Sequence, residues 1–235
     1  MGLTPALAVF GVTGMPEIAR GDSIGELVVE HAQLAVSDVV VVTQKIVSKS
    51  EGRVVEIEAG DSGAKRRLAE SEAVRVLRRR GDLVVTETRH GFVCASSGVD
   101  VSNVEQGYAV LLPVDPDRSA RRIRDQIRAV AGIEVGVVVS DTFGRAWRRG
   151  LTDVAIGSAG IAAIVDLRGT LDATGRELEV TEICVVDEIA SAADLVMGKS
   201  SGVPVAIVRG VDPGWMRESS VHDEIVRPYA EDLFR

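Results

Sequence analysis

Aromatic side chains make up only 3% of the 235 residues, and the chain has just three histidines and two cysteines. The cysteines, Cys94 and Cys184, lie far apart and fit neither a Cys-x-x-Cys nor a Cys/His ligand spacing. That excludes a zinc or dithiol motif and leaves two buried thiols as the plain reading. Positive charge is also short: 27 Lys and Arg against 35 Asp and Glu give a net charge of -8. A nucleic-acid partner needs a basic face, so none is expected. A small anion is not barred, because a local Lys/Arg cluster can hold phosphate. No apolar stretch approaches the roughly 18 residues that span a membrane, so no membrane association is expected. Residues 1–10 lack the basic start and long apolar run of a signal peptide, and a cytoplasmic protein is expected. Neither GxxxxGK[ST] nor GxGxxG occurs, which argues against a P-loop or Rossmann nucleotide loop. No Ser or Cys stands at nucleophile-elbow spacing, so a hydrolase triad has no support.

What is abundant is aliphatic. Hydrophobic residues reach 46%, and with so few aromatics the core must be Val, Ile, Leu and Ala, which suits sheets packed on helices. Valine runs at Val39–Val42 and Val135–Val139 read as buried strands, as do Leu83–Thr86, Ala109–Leu112 and Val205–Val208. Ser23-Ile-Gly-Glu26 has the form of a capping box opening a helix. The spacing predicts a helix over Lys65–Arg80, with Leu68, Ala69, Ala73, Val76 and Leu77 inward and Gly81 as its stop. A second helix is expected from a Ser119 cap to Gly132, burying Ile123, Ile127 and Val130. A third starts at an Asp187 cap, buries Ile189, Ala193, Val196 and Met197, and closes at Gly198. Ile161–Leu167 and Leu178–Val186 read as a hairpin turned at Asp172-Ala-Thr-Gly175. Mixed helices and strands with a hairpin predict an α+β fold with mixed β-sheets and packed helices rather than a doubly wound parallel one. Residues 211–235, polar and with two prolines, are expected to form a C-terminal arm.

Two aspartates stand where apolar runs stop. Asp100 closes His90–Val99, and Asp141 follows Val135–Val139 in Ser-Asp-Thr-Phe-Gly-Arg. An acid just past a buried strand sits at the lip of a sheet, where ligands bind. A carboxylate next to the Thr142 hydroxyl suits Mg²⁺ or Mn²⁺. Each has a plainer reading: Asp141 could cap a helical turn, and Asp100 could be a turn residue beside Gly98. Their company favours chemistry. Asn103, Thr142, Arg145 and Arg148 lie close by, and acids for a metal with guanidinium groups for phosphate suit phosphoryl transfer. Lys45 and Lys49 follow a strand directly and could face phosphate, although solvated edge lysines are common. His31 reads as a packed helix residue, His90 as a turn residue, and Trp147 as buried packing rather than a base-stacking platform.

Several segments together resemble the coenzyme F(420)-0:L-glutamate ligases, the GTP-dependent γ-glutamyl ligases. They are Thr13–Ile18, Thr43–Arg53, His90–Asn103, Ser140–Arg148, Val180–Ile183 and Asp187–Lys199, in order from about Val9 to Gly210. The resemblance is to the standalone form and implies a single domain over 1–235. It implies an unusual two-lobed α+β fold intertwined in a homodimer. The implied partners are GTP, L-glutamate and a deazaflavin precursor. GTP would phosphorylate a carboxylate of that precursor, and the glutamate amine would attack the acyl phosphate to give an amide, GDP and phosphate. Two divalent ions, Mn²⁺ or Mg²⁺, are implied, with K⁺ assisting. Carried over by position, Asp100 and Asp141 would hold the first metal, and Thr142 would reach the second. Met15, Pro16, Glu17, Ile18, Gln44, Lys49 and Asn103 would bind the nucleotide. Arg145 is a catalytic candidate beside the acids, and it and Arg148 could serve GTP, acceptor or glutamate. Lys199 stands where some members offer Gln to the second metal, and an ammonium cannot ligate one. The same acids, hydroxyl and arginines would also serve a metal-dependent phosphohydrolase; a non-catalytic nucleotide- or deazaflavin-binding protein is a third reading, against which the acids and Thr142 argue, since a pure binder has no need of a metal pair.

Overall fold

In the computed structural model, residues 7–58, 61 and 63–232 are described; the first six residues and the last three of the expected arm lie outside them. The centre is a parallel pair, β2 (Val39–Thr43) beside β8 (Gly136–Arg145), in register from Val39 opposite Gly136 to Thr43 opposite Ser140. Val39–Val42 and Val137–Val139 have no solvent exposure. Side chains alternate along a strand, so one run feeds two cores. Val40, Val42, Val137 and Val139 face one, and Val39, Val41 and Val138 face the other. The sheet is completed by antiparallel neighbours. β12 (Val205–Arg209) pairs with β2, β1 (Ala8–Val12) lies outside it, and β9 (Arg148–Ala159) forms the opposite edge against β8. Helices α1 (Ile24–His31) and α4 (Pro116–Ala131) cover the first face with Ile24, Val28, Ile123 and Ile127. Helices α5 (Val185–Met197) and α6 (Val221–Glu224) cover the second with Ile189, Ala193, Met197 and Val221.

A smaller lobe interrupts this order after α2 (Gln44–Ser50). It pairs β3 (Val54–Glu56) with β7 (Tyr108–Val110), and stacks α3 (Ala64–Glu72) by a sheet of β4 (Ala73–Arg80), β5 (Leu83–Thr88) and β6 (Val93–Ala95). Its own core is Ala69, Val84, Val99, Ala109 and Leu111. A short antiparallel pair, β10 (Val165–Asp166) with β11 (Glu182–Ile183), stands apart from both lobes' sheets. The expected α+β fold with mixed sheets is the one observed. No helix among the described residues is long and apolar enough to cross a membrane.

Differences from the sequence reading have local causes. The expected helix over Lys65–Arg80 ends at Glu72, and Ala73–Arg80 is an extended strand. Gly81, at φ 60°, turns a two-residue hairpin that sets Arg80 opposite Leu83, so it closes a β-turn rather than a helix. Asp115, not Ser119, caps α4: its carboxylate accepts the Arg118 N–H at 2.8 Å, and Pro116 takes the first helical position. Val130 is 56% exposed, not buried. Helix α5 starts at Val185, before Asp187, whose carboxylate instead accepts the Ala155 N–H at 2.8 Å and ties the helix to β9. Val196 lies at its outer edge, 37% exposed. Ser23 takes the N-cap position of α1, but its hydroxyl makes no cap bond. The strands expected over Ile161–Leu167 and Leu178–Val186 shrink to the two-residue pair β10–β11, around the turn at Asp172. Strands β1, β3 and β9 had no counterpart in the sequence reading. In β9 the reason is Gly157, which breaks the apolar pattern because the start of α4 packs onto it. A Cβ there would come within 2.3 Å of the Pro116 carbonyl carbon.

The segment after β12 is anchored by one buried carboxylate. Asp117, 5% exposed, accepts N–H groups from Ser158 and Val221 at 2.8 Å and from His222 at 3.1 Å. It joins α4, β9 and α6 at a single point. Removing it strands buried backbone donors. Asp117→Ala is therefore expected to lower unfolding free energy by about 2–4 kcal/mol in equilibrium urea unfolding; a loss under about 0.5 kcal/mol would contradict this anchoring role.

Candidate active site

The parallel pair delivers the site. At the end of β2 the chain turns straight into α2, which carries Lys45 and Lys49. Beside it β8 carries Asp141 and Thr142. Asp141 was expected just past a strand; β8 instead runs on to Arg145, and Asp141 sits inside it, after a bulge between Val139 and Ser140. Asp100 arrives from the smaller lobe. The apolar run before it forms strand only at Val93–Ala95, followed by a tight turn in which Ser96 and Ser97 both adopt φ 53°. Non-glycine residues rarely hold that conformation, and here Ser97 is locked by bonds to the Ala69 carbonyl (2.6 Å) and Thr86 Oγ1 (2.9 Å). Asp100 then exchanges backbone bonds with Val110.

Each carboxylate has a different electrostatic setting. Asp100 receives the Lys45 ammonium at 2.9 Å and the Ser102 N–H and hydroxyl at 2.7 and 3.0 Å. Burial alone would raise its pKa, but these donors outweigh it and hold it below the usual carboxylate range. Burial, with the negative charges of Asp153 and Asp100, pushes Asp141 up to about 7, against the adjacent Thr142 N–H and the Lys199 charge. Asp153, on β9, is the residue that sequence reasoning missed. It lies opposite Thr142, is 2% exposed, and accepts from Thr142 Oγ1 (2.6 Å), Ser140 Oγ (3.0 Å) and Lys199 Nζ (2.9 Å). Its only sequence signal is an acid on the inward face of Thr-Asp-Val-Ala-Ile.

The remaining candidates fall into two groups. Lys49 pairs with Glu17 and reaches the Asn103 carbonyl at 3.4 Å; the Asn103 amide in turn donates to the Lys199 carbonyl at 3.3 Å. Glu17, Lys49, Asn103 and Lys199 are thus linked beside the acids. Pro16 is exposed, Met15 packs partly against the first core, and Ile18 is buried in it. Gln44 is also buried, its amide oxygen accepting the Ser48 hydroxyl at 2.9 Å. Arg145 is exposed near the β8–β9 hairpin tip, bonded to the Arg149 carbonyl at 3.0 Å, and lies about 13 Å along the strand from Asp141. Arg148 is exposed there as well. Trp147, expected in packing, is 94% exposed at the turn with φ 63°. His90 is held by the carbonyls of Pro113 and Val114 and stacks on Phe92.

Among the described residues, no three His, Cys, Asp or Glu side chains form a ready-made metal cage. The donor chemistry still fits a divalent ion. Asp100 and Asp141 supply oxygen only, and the charges of Asp100 and Asp153 near Asp141 are ones a cation would offset. Ions of this kind keep several waters or take phosphate oxygens, so an incomplete protein shell suits them.

The Asp141 shift has a measurable consequence for the metal-free protein. Its carboxyl titrates about 7 when folded against 3.8 ordinarily, so the native state binds the extra proton between these values. Stability is full below pH 4 and falls as pH rises toward 7. Asp141→Asn removes that penalty. In EDTA at pH 8 it is expected to unfold at higher urea, by about 2–4 kcal/mol, with the advantage gone below pH 4. An equal difference at both pH values would contradict the buried, charge-crowded setting.

Residues 13–210 match the family described as F420-0:Gamma-glutamyl ligase. The chain is 39% identical to the Coenzyme F420:L-glutamate ligase of Methanothermobacter thermautotrophicus, over 97% of this chain and 99% of that protein. It is 38% identical to the protein of the same name from Methanopyrus kandleri over the full length of both. With that from Archaeoglobus fulgidus it shares 39% identity, over 97% of this chain and 96% of the relative. On this match the chain belongs to the F420-0:gamma-glutamyl ligase family.

Proposed function

We propose that the protein joins L-glutamate through an amide bond to a deazaflavin coenzyme F420 precursor, consuming GTP and passing through an acyl phosphate. The observation that carries this reading is the meeting, at one end of the central sheet, of paired acids with the two lysines of α2, in a chain of this family. A free carboxylate is a poor electrophile. Its oxygen takes the γ-phosphoryl group of GTP, and GDP leaves; the glutamate amine then attacks the acyl carbon, loses a proton, and phosphate departs. Asp100 and Asp141 would hold the divalent metal, Mn²⁺ or Mg²⁺, with K⁺ assisting. When bound, the metal offsets the charge gathered on the phosphates. Lys49 faces the nucleotide as a point charge, oriented by Glu17 and the Asn103 carbonyl. Lys45 fixes Asp100 and keeps it ionised. The segment Met15–Ile18 meets the nucleotide through its backbone, in keeping with an Ile18 side chain committed to the core. The protein acts as a homodimer; exposed Trp147 and Leu151 near the β8–β9 hairpin tip support a partner surface.

The test is mass-spectrometric. Purified protein, GTP, Mn²⁺, L-glutamate and the glutamate-free precursor are expected to yield glutamylated product only when GTP and glutamate are both present. Loss of GTP without ligation would point to a phosphohydrolase instead. Asp141→Asn is expected to keep its fold and lose turnover by about 10²-fold or more, and normal turnover would remove Asp141 from the chemistry. Lys49→Ala is expected to weaken GTP binding about tenfold by calorimetry, as loss of a charge-assisted contact does. Unchanged affinity would exclude it from the nucleotide site.

A further inference from the structure

Lys199 is placed as a metal ion would be. Its ammonium touches three oxygens from three elements: the Thr142 hydroxyl on β8, Asp153 Oδ1 on β9 at 2.9 Å, and Asp194 Oδ1 on α5 at 3.0 Å. An ammonium has three donors, and all three are used. Asp153 is almost wholly buried, and a buried carboxylate needs a compensating charge; Lys199 is the cation it contacts. Phosphoryl-transfer sites often use two divalent ions, one on each side of the transferring group. Here the Thr142 hydroxyl, next in the chain to Asp141, is already taken by the ammonium.

We infer that Lys199 is a resident cation that replaces the second divalent ion, with Asp153 as the positioning residue that seats it, so that the protein works with one divalent ion per chain. This rests on the metal-dependent reading above. The ammonium cannot ligate metal, and its charge repels a second ion from the Thr142–Asp153–Asp194 oxygens. It supplies one positive charge where a divalent ion supplies two, and it is tethered, so it is present at any metal concentration.

Counting ions tests the inference without measuring turnover. Wild-type protein and Lys199→Gln are titrated with Mn²⁺ in the presence of a saturating non-hydrolysable GTP analogue, and free Mn²⁺ is read by electron paramagnetic resonance. Glutamine keeps an N–H donor for the buried Asp153 oxygen, and circular dichroism verifies that the variant is folded before its ions are counted. The expected result is one tightly held ion per chain in the wild type and two in Lys199→Gln. The second ion should bind at least about tenfold more tightly than any second ion in the wild type, because a like charge has been removed. Spin coupling between neighbouring ions should appear only in the variant. Two tight ions in the wild type, or equal counts in both proteins, would overturn the inference. No Mn²⁺ in either protein would overturn the metal reading beneath it, and the ligation assay without added metal would then say whether the activity itself survives.

Discussion

Strands β2 and β8 lie side by side and parallel, valine against valine, sealed from water on both faces. Every later feature is referred to that pairing. Parallel neighbours end at the same side of a sheet, so whatever follows β2 and whatever continues β8 must meet there. The first brings α2 with its two lysines; the second brings Asp141 and Thr142. The smaller lobe then needs only to reach across with one loop, which it does through Asp100 and Asn103.

The meeting gathers negative charge. Asp100 and Asp153 raise the cost of ionising Asp141, and the cluster is tolerable because its members are not treated alike. Asp100 is neutralised by Lys45, and Asp153 by Lys199 with two hydroxyls; Asp141 is left to choose between a proton and an added cation. A carboxyl with that choice near neutral pH is a site that reports on whatever cation arrives.

How much of this was legible in the sequence depended on the range of the forces involved. Buried valine runs announce themselves, so β2, β8 and β12 could be read directly. The Gly132 stop of α4 is local chemistry and held, φ 68° and all. The stretch Ala73–Arg80 misled because its spacing suits a helix, while its true partner is the strand across Gly81. Strand β9 was silent because Gly157 answers to a helix far away in sequence. In the site, Asp100 and Asp141 stood out by ending apolar runs. Asp153 did not, since its meaning lies in a cross-strand neighbour and in a lysine 46 residues on. The conformation of Ser96 and Ser97, which aims Asp100, left no trace in composition.

Thr142 faces Asp153 because the β8–β9 hairpin pairs them in register, and side chains change face with every residue. The two halves of this hairpin therefore obey different rules of inheritance. Between Arg145 and Arg148, at the exposed tip, residues can be gained or lost and the acids stay where they are. Between Asp141 and Thr142, or between Thr152 and Asp153, a single inserted residue turns a site carboxylate or hydroxyl to the opposite side of the sheet. Length variation among descendants of this chain should thus collect at the tip and stop abruptly four residues below it.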